Sequence, residues 1–158
     1  MTAKKGLVVT PEDFSGVDWV TKLQELKLNT IGIHSGGGSN HDIFERLGPY
    51  ADARFRERVR AAKLACEYEL HAADALLPRQ LFATRPELFA MNYITGKRNP
   101  YLSWCPSNKD TLEYLRRGAR DLAGKLPSST HRYYFWGTDA VNASCHCPSC
   151  SEYSLADL

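Results

Sequence analysis

At 158 residues the chain is long enough to bury a sizeable core, and a make-up of 43% hydrophobic and 24% charged residues is that of a globular protein, not a disordered one. Its 20 basic and 18 acidic residues intermix, so the net charge of +2 forms no basic stripe and excludes nucleic acid as the expected partner. No apolar run approaches the ~20 residues that a membrane-spanning helix needs, so no membrane partner is expected either.

Met1 to Lys5 is not a signal peptide and leads directly into a short apolar run. That start suits a cytoplasmic protein, and an exported chain that has lost its signal would look the same. Leu7 to Thr10 is the first expected strand, broken by Pro11. Ser15 then caps an expected helix whose apolar stripe is Trp19, Val20, Leu23 and Leu26, closed by Asn29. Thr30 to His34 alternates as a second strand, with Ile31 and Ile33 on one side and Thr30, Gly32 and His34 on the other. The glycine-rich stretch from Ser35 to Asn40 lacks the lysine and spacing of a phosphate-binding loop.

Phe55, Val59 and Ala62 mark the next helix, and Cys66 to His71 the third strand. On that strand Tyr68 and Leu70 share one side, and Glu67, Glu69 and His71 the other. Residues 72–105 form a long excursion, with helical turns expected around Leu81 and from Glu87 to Met91, and a hairpin or loop around Gly96. Ser107 or Asn108 caps a long helix with a stripe of Leu112, Leu115, Ala119, Leu122 and Leu126. Arg132 to Trp136 is the fourth strand, and Gly137 opens a loop containing Asp139.

Four strand-helix cycles argue for an α/β fold with a parallel sheet, and the polar sides of strands two and three favour a partial (β/α)8 TIM barrel over a doubly wound sheet. Half of a barrel leaves an open sheet edge, so the chain is expected to be truncated at its C-terminus and prone to self-association.

Glu69 and His71 project together near the end of a strand, where a barrel places its chemistry; a buried ion pair is the plainer alternative. Trp136 and Asp139 form a second pair, an aromatic platform and a carboxylate; a core tryptophan and a loop cap is the alternative there. His34 stands at a strand end as a packing or substrate-binding residue. Cys145, Cys147 and Cys150 form a Cys-x-Cys-Pro-x-Cys run whose spacing suits a structural zinc ion, with the fourth ligand left open between Cys105, His146 and a residue outside the chain. A local disulfide or three reduced thiols are the other readings of that Cys-rich loop, residues 139–153.

A set of ordered motifs adds to this. Tyr68-Glu69-Leu70-His71, Leu77-Pro78-Arg79, Arg85-Pro86-Glu87-Leu88-Phe89, Cys105-Pro106-Ser107-Asn108, Tyr133-Tyr134-Phe135-Trp136 with Asp139, and the closing cysteine run with Tyr153-Ser154 together resemble a bacterial family of glycoside-hydrolase-like barrels still labelled a domain of unknown function. The resemblance covers the chain from about Trp19 onward. It implies the N-terminal half of a barrel related to the α-glucuronidases and β-hexosaminidases, acting on carbohydrate. For a glycoside hydrolase the candidate carboxylates are Asp139 and Glu69, with His71 orienting, Trp136 stacking on the sugar and His34 a candidate substrate-binding residue. Arg85 stands where that pattern has histidine, and Thr138 and Ala140 flank Asp139 without a second acidic residue. The alternative function is a non-catalytic carbohydrate-binding or zinc-stapled structural module.

Overall fold

The computed structural model describes residues 3–36, 42–137 and 142–150. It divides into two compact units, one formed by Met1–His71 and Ala123–Trp136, the other by Ala72–Leu122 and Gly137–Leu158.

The first unit is built on a four-stranded sheet: β1 (Gly6–Val9), β2 (Thr30–His34), β3 (Ala65–Leu70) and β4 (Tyr133–Phe135). All neighbours are parallel and the spatial order follows the sequence, which is the order of a singly wound sheet. The alternation legible in the sequence sets its two faces. Val9, Ile31, Ile33, Cys66, Tyr68 and Leu70 share one face and are almost wholly buried. In register on the other face, Gly32 pairs with Glu67 and His34 with Glu69. A polar residue can be buried there because it is satisfied: Glu67 accepts from Lys4 Nζ and, at 2.7 Å, from Thr130 Oγ1.

Three helices accompany this sheet, α1 (Trp19–Glu25), α2 (Ile43–Ala51) and α3 (Ala53–Ala61). Ser15 does not cap α1, because Gly16 at φ +80° turns the chain first and Asp18 takes the N-cap. Asn29 likewise lies past the helix end, where its side chain accepts from Lys5 N–H (2.8 Å) and donates to the Ala3 carbonyl (2.9 Å), anchoring the chain ahead of β1. Helix α2 was not expected; Gly48 and Pro49 interrupt its pattern, but Asp42 caps its first turn and Ile43 and Leu47 bury its apolar side.

In the second unit, α4 (Ala73–Leu76) is followed by 3-10 turns at Arg79–Ala83 and Pro86–Leu88, then by α5 (Lys109–Lys125), which belongs to this unit as far as Leu122. Asn108 is the cap: its Oδ1 accepts from Asp110 N–H at 2.9 Å and from Thr111 N–H at 3.4 Å. The expected stripe holds at Leu115, Leu122 and Leu126 and fails at the first turn of α5. Leu112 is 39% exposed, whereas Thr111 is fully buried with its hydroxyl donating to the Leu88 carbonyl. Arg85 pairs with Glu87 and, at 2.6 Å, with Asp110, which gives the residue standing in place of the expected histidine a structural role. Among the described residues, no helix is long and apolar enough to cross a membrane.

Candidate metal centre and strand-end cluster

In the second unit, residues 88–92 form the middle of a small antiparallel arrangement. Cys105 N–H donates to the Leu88 carbonyl and Ala90 N–H to the Ser103 carbonyl, both at 2.9 Å, and Asn92 N–H donates to the Lys97 carbonyl at 2.8 Å. The cysteine run joins the same frame: Ser103 N–H donates to the Ala143 carbonyl (3.1 Å) and His146 N–H to the Met91 carbonyl (3.0 Å). Pro148–Cys150 is one 3-10 turn, closed by Cys150 N–H donating to the Cys147 carbonyl at 2.8 Å.

These pairings bring Cys105 to Cys145, Cys147 and Cys150. All four are buried, and their Sγ atoms lie within 4.8 Å of one another. Cys105 Sγ is 3.8 Å from Cys147 Sγ and 3.8 Å from Cys150 Sγ. Tetrahedral Zn–S bonds of about 2.3 Å put neighbouring sulfurs about 3.8 Å apart, while a disulfide would bring two of them to about 2.05 Å. Every cysteine is unbridged. The donor set fits a thiophilic metal, and the fourth position left open by the spacing falls to Cys105, with His146 outside the group.

The groups around the sulfurs also suit thiolate. Met91 N–H and Arg98 Nη1 both donate to Cys145 Sγ at 3.4 Å, and Arg98 Nη1 also holds the Phe89 carbonyl at 2.7 Å. The Ser107 hydroxyl lies 3.3 Å from Cys105 Sγ and accepts from Cys150 Sγ at 3.1 Å. Burial opposes ionisation of all four thiols. At Cys147 it is outweighed by hydrogen bonds from Cys150, Ser107, Cys145 and Cys105, which bring the thiol down to about 6. At Cys105 the Ser107 and Arg98 hydrogen bonds likewise prevail and the shift is downward. Cys145 is pushed up to about 12 by burial, and Cys150 also moves upward. Four thiols so close cannot all carry charge without a cation among them.

Sequence reasoning did not single out Arg98, and it read Ser107 only as a helix cap and as part of a motif. Cys105 was one of the open possibilities for the fourth ligand; a signal that could have selected it is its Cys-Pro-Ser context, which recurs as Cys147-Pro148-Ser149.

The first unit carries the second group of candidates. At the carboxyl ends of β2, β3 and β4, the His34 ring meets that of His71 at 5.3 Å and that of Trp136 at 5.1 Å, and His71 lies 5.6 Å from Trp136. Backbone contacts fix these positions. Ser35 N–H donates to the Glu69 carbonyl (2.9 Å), the Ser35 hydroxyl accepts from His71 N–H (3.0 Å), and Trp136 N–H donates to the Leu70 carbonyl (2.9 Å). His34 Nδ1 accepts from Gly36 N–H at 3.0 Å, which leaves the proton of the neutral ring on Nε2, a buried atom with no partner among the described residues. Burial, reinforced by the charge of His71 and opposed by that of Glu69, lowers the pKa of His34 below 6.5.

Glu69 lies on the same face, where its carboxylate stands 3.3 Å from the position a Cβ would take on Gly32. Trp136 is 49% exposed, so it presents an open ring instead of filling a core. The structure thus gathers His34, His71 and Trp136 with Glu69 nearby, while Asp139 lies outside the described residues.

Comparison with protein-family models, with curated proteins and with solved structures gives no match. What defines the chain is its own architecture: an α/β protein with an all-parallel sheet and a buried four-cysteine cluster that could hold a metal ion.

Proposed function

We propose that the chain is a carbohydrate-active protein of the glycoside-hydrolase-like kind, whose sheet belongs to a (β/α)8 barrel and whose sugar site lies at the carboxyl ends of β2, β3 and β4. The observation that carries this is the ring group His34, His71 and Trp136 at the ends of adjacent parallel strands. An exposed indole stacks on the apolar face of a pyranose, and imidazoles beside it hydrogen-bond the hydroxyls. Glu69 supplies one carboxylate for acid-base or nucleophilic work, and Asp139 is the second. The barrel reading calls for further strands beyond β4.

A second reading, a non-catalytic carbohydrate-binding or zinc-stapled module, is favoured by the cysteine cluster: four mutually close, buried thiols form a closed site with no position for substrate. In either reading zinc has a structural part and takes no part in chemistry.

The test is hydrolysis of a panel of aryl glycosides together with sugar binding followed by tryptophan fluorescence. Turnover abolished in Asp139→Asn and Glu69→Gln supports the hydrolase, and binding lost in Trp136→Ala without any turnover supports the binding module. A protein that neither binds nor cleaves any sugar in the panel, including on a longer chain, overturns the carbohydrate reading.

A further inference from the structure

We infer that Arg98 is the built-in counter-charge of a tetrathiolate zinc centre formed by Cys105, Cys145, Cys147 and Cys150, and that it sets how tightly the metal is held. The inference rests on the zinc reading of the cluster. Loading the site converts four thiols and one Zn²⁺ into a centre with four thiolates and a net charge of −2, releasing four protons. That charge would stand among Ala90, Met91 and Leu102, an apolar setting in which an uncompensated double negative charge is costly.

Among the described residues, one cation is aimed at it. The Arg98 guanidinium reaches Cys145 Sγ at 3.4 Å while its hold on the Phe89 carbonyl fixes its direction. Arg98 occupies that place through backbone pairing, since Met91 and Arg98 form an antiparallel bridge and Met91 N–H donates to the same sulfur. Cys145 therefore receives a neutral and a charged donor from two opposed strands. Among the described residues, no other Lys, Arg or His side chain has a hydrogen bond to a cysteine of the cluster. Outer-shell donors of this kind orient a ligand and lower the cost of its charge.

Three substitutions separate charge from scaffolding. Arg98→Lys keeps the cation, Arg98→Gln keeps a neutral donor for the Phe89 carbonyl, and Arg98→Met removes both. Each protein is purified with metal, shown to be folded by circular dichroism, and titrated with a chromogenic chelator. Cobalt substitution supplies the thiolate-to-metal charge-transfer band. We expect wild type to hold one metal ion per chain, Arg98→Lys to hold it within a few-fold, and Arg98→Gln and Arg98→Met to lose about 10- to 100-fold in affinity with a shifted cobalt band. If wild type shows no thiolate-cobalt band, the zinc reading itself fails. If wild type binds but Arg98→Gln matches it in affinity and spectrum, zinc stands and the role of Arg98 is overturned.

Discussion

Gly118 of α5 runs so close to α4 that a Cβ placed on it would stand 2.8 Å from both the Cα and the carbonyl oxygen of Leu76. The obstruction is backbone, which cannot rotate away as a side chain would. Gly118→Ala therefore gains helix propensity of up to about 1 kcal/mol but meets a steric cost of about 1–3 kcal/mol, with net destabilisation expected. Gly124 in the same helix has nothing within 4 Å of its added Cβ, so Gly124→Ala is expected to be neutral or stabilising by up to about 1 kcal/mol. Thermal unfolding of the two variants checks the pair. A Gly118→Ala protein at least as stable as wild type would show that the two helices do not approach this closely.

The pKa of His34 is expected to lie below 6.5 and to respond to its neighbours with opposite signs. Removing the carboxylate in Glu69→Gln should lower it further, and removing the imidazole in His71→Asn should raise it. Because the folded state favours the neutral ring, the stability tied to it is complete above 6.5 and is lost as the pH falls through the lower folded value. NMR titration of the imidazole carbon-bound protons reads all three proteins. A His34 that titrates above 6.5 in wild type contradicts the packing of the three rings.

The legible parts of this protein were those in which a local pattern coincides with burial. Ile31 and Ile33 alternate with Thr30, Gly32 and His34, and that alternation alone gave β2 and its two faces. The same reasoning placed Leu122 and Leu126 on the buried side of α5 but erred at its first turn, because a leucine at helical spacing outranks a threonine until the Leu88 carbonyl is seen to accept from the Thr111 hydroxyl while Leu112 stays exposed. Spacing found three cysteines of the cluster because they sit within one turn of chain. Cys105 lies forty residues before Cys145, and only the pairing of 88–92 with 103–105 carries it there. Arg98 has no local signature at all: its role depends on a strand bridge to Met91 and on a sulfur far along the chain. Glu69 and His71 were legible as neighbours, whereas the grouping of His34 and Trp136 with His71 depends on strand register, which single-strand patterns do not specify.

Lys4 and Glu67 make a pH-sensitive contact on the polar face of the sheet. Burial raises the Glu67 carboxyl, but the hydrogen bonds from Lys4 and Thr130 outweigh it and hold the carboxyl below its ordinary value of 4.5. For a depressed carboxylate the stabilisation is present above 4.5 and is lost as the pH falls through the lower folded value. Unfolding midpoints should therefore drop on acidification more steeply in wild type than in Glu67→Gln. Lys4→Met should cost about 1–3 kcal/mol at neutral pH, since Glu67 is only 3% exposed and would keep its charge with one partner fewer. Equal acid sensitivity in wild type and Glu67→Gln would remove this pair from the account.

The five cysteines should react with iodoacetamide in an order set by metal and burial. Cys66 stands apart from the cluster: it is 2% exposed, and burial pushes its thiol up to about 12, so in the folded protein it is both hidden and protonated. Cys105, Cys145, Cys147 and Cys150 are also buried, but in the zinc-loaded protein their protection comes in addition from the bonds they make to the metal. A strong chelator at pH 8 should expose these four to labelling, because Cys105 and Cys147, whose thiols are held below their ordinary value, ionise with their sulfurs 3.8 Å apart, repel, and open the small frame around residues 88–105 and 142–150, which relieves the burial that keeps Cys145 and Cys150 protonated. Cys66 should resist until denaturant unfolds the sheet that covers it. Peptide mapping by mass spectrometry then gives three stages: no label with metal, four sites after chelation, and the fifth after denaturation. Labelling that is indifferent to the chelator would mean that the cluster is held by packing alone, and simultaneous labelling of all five would mean that metal loss unfolds the sheet as well.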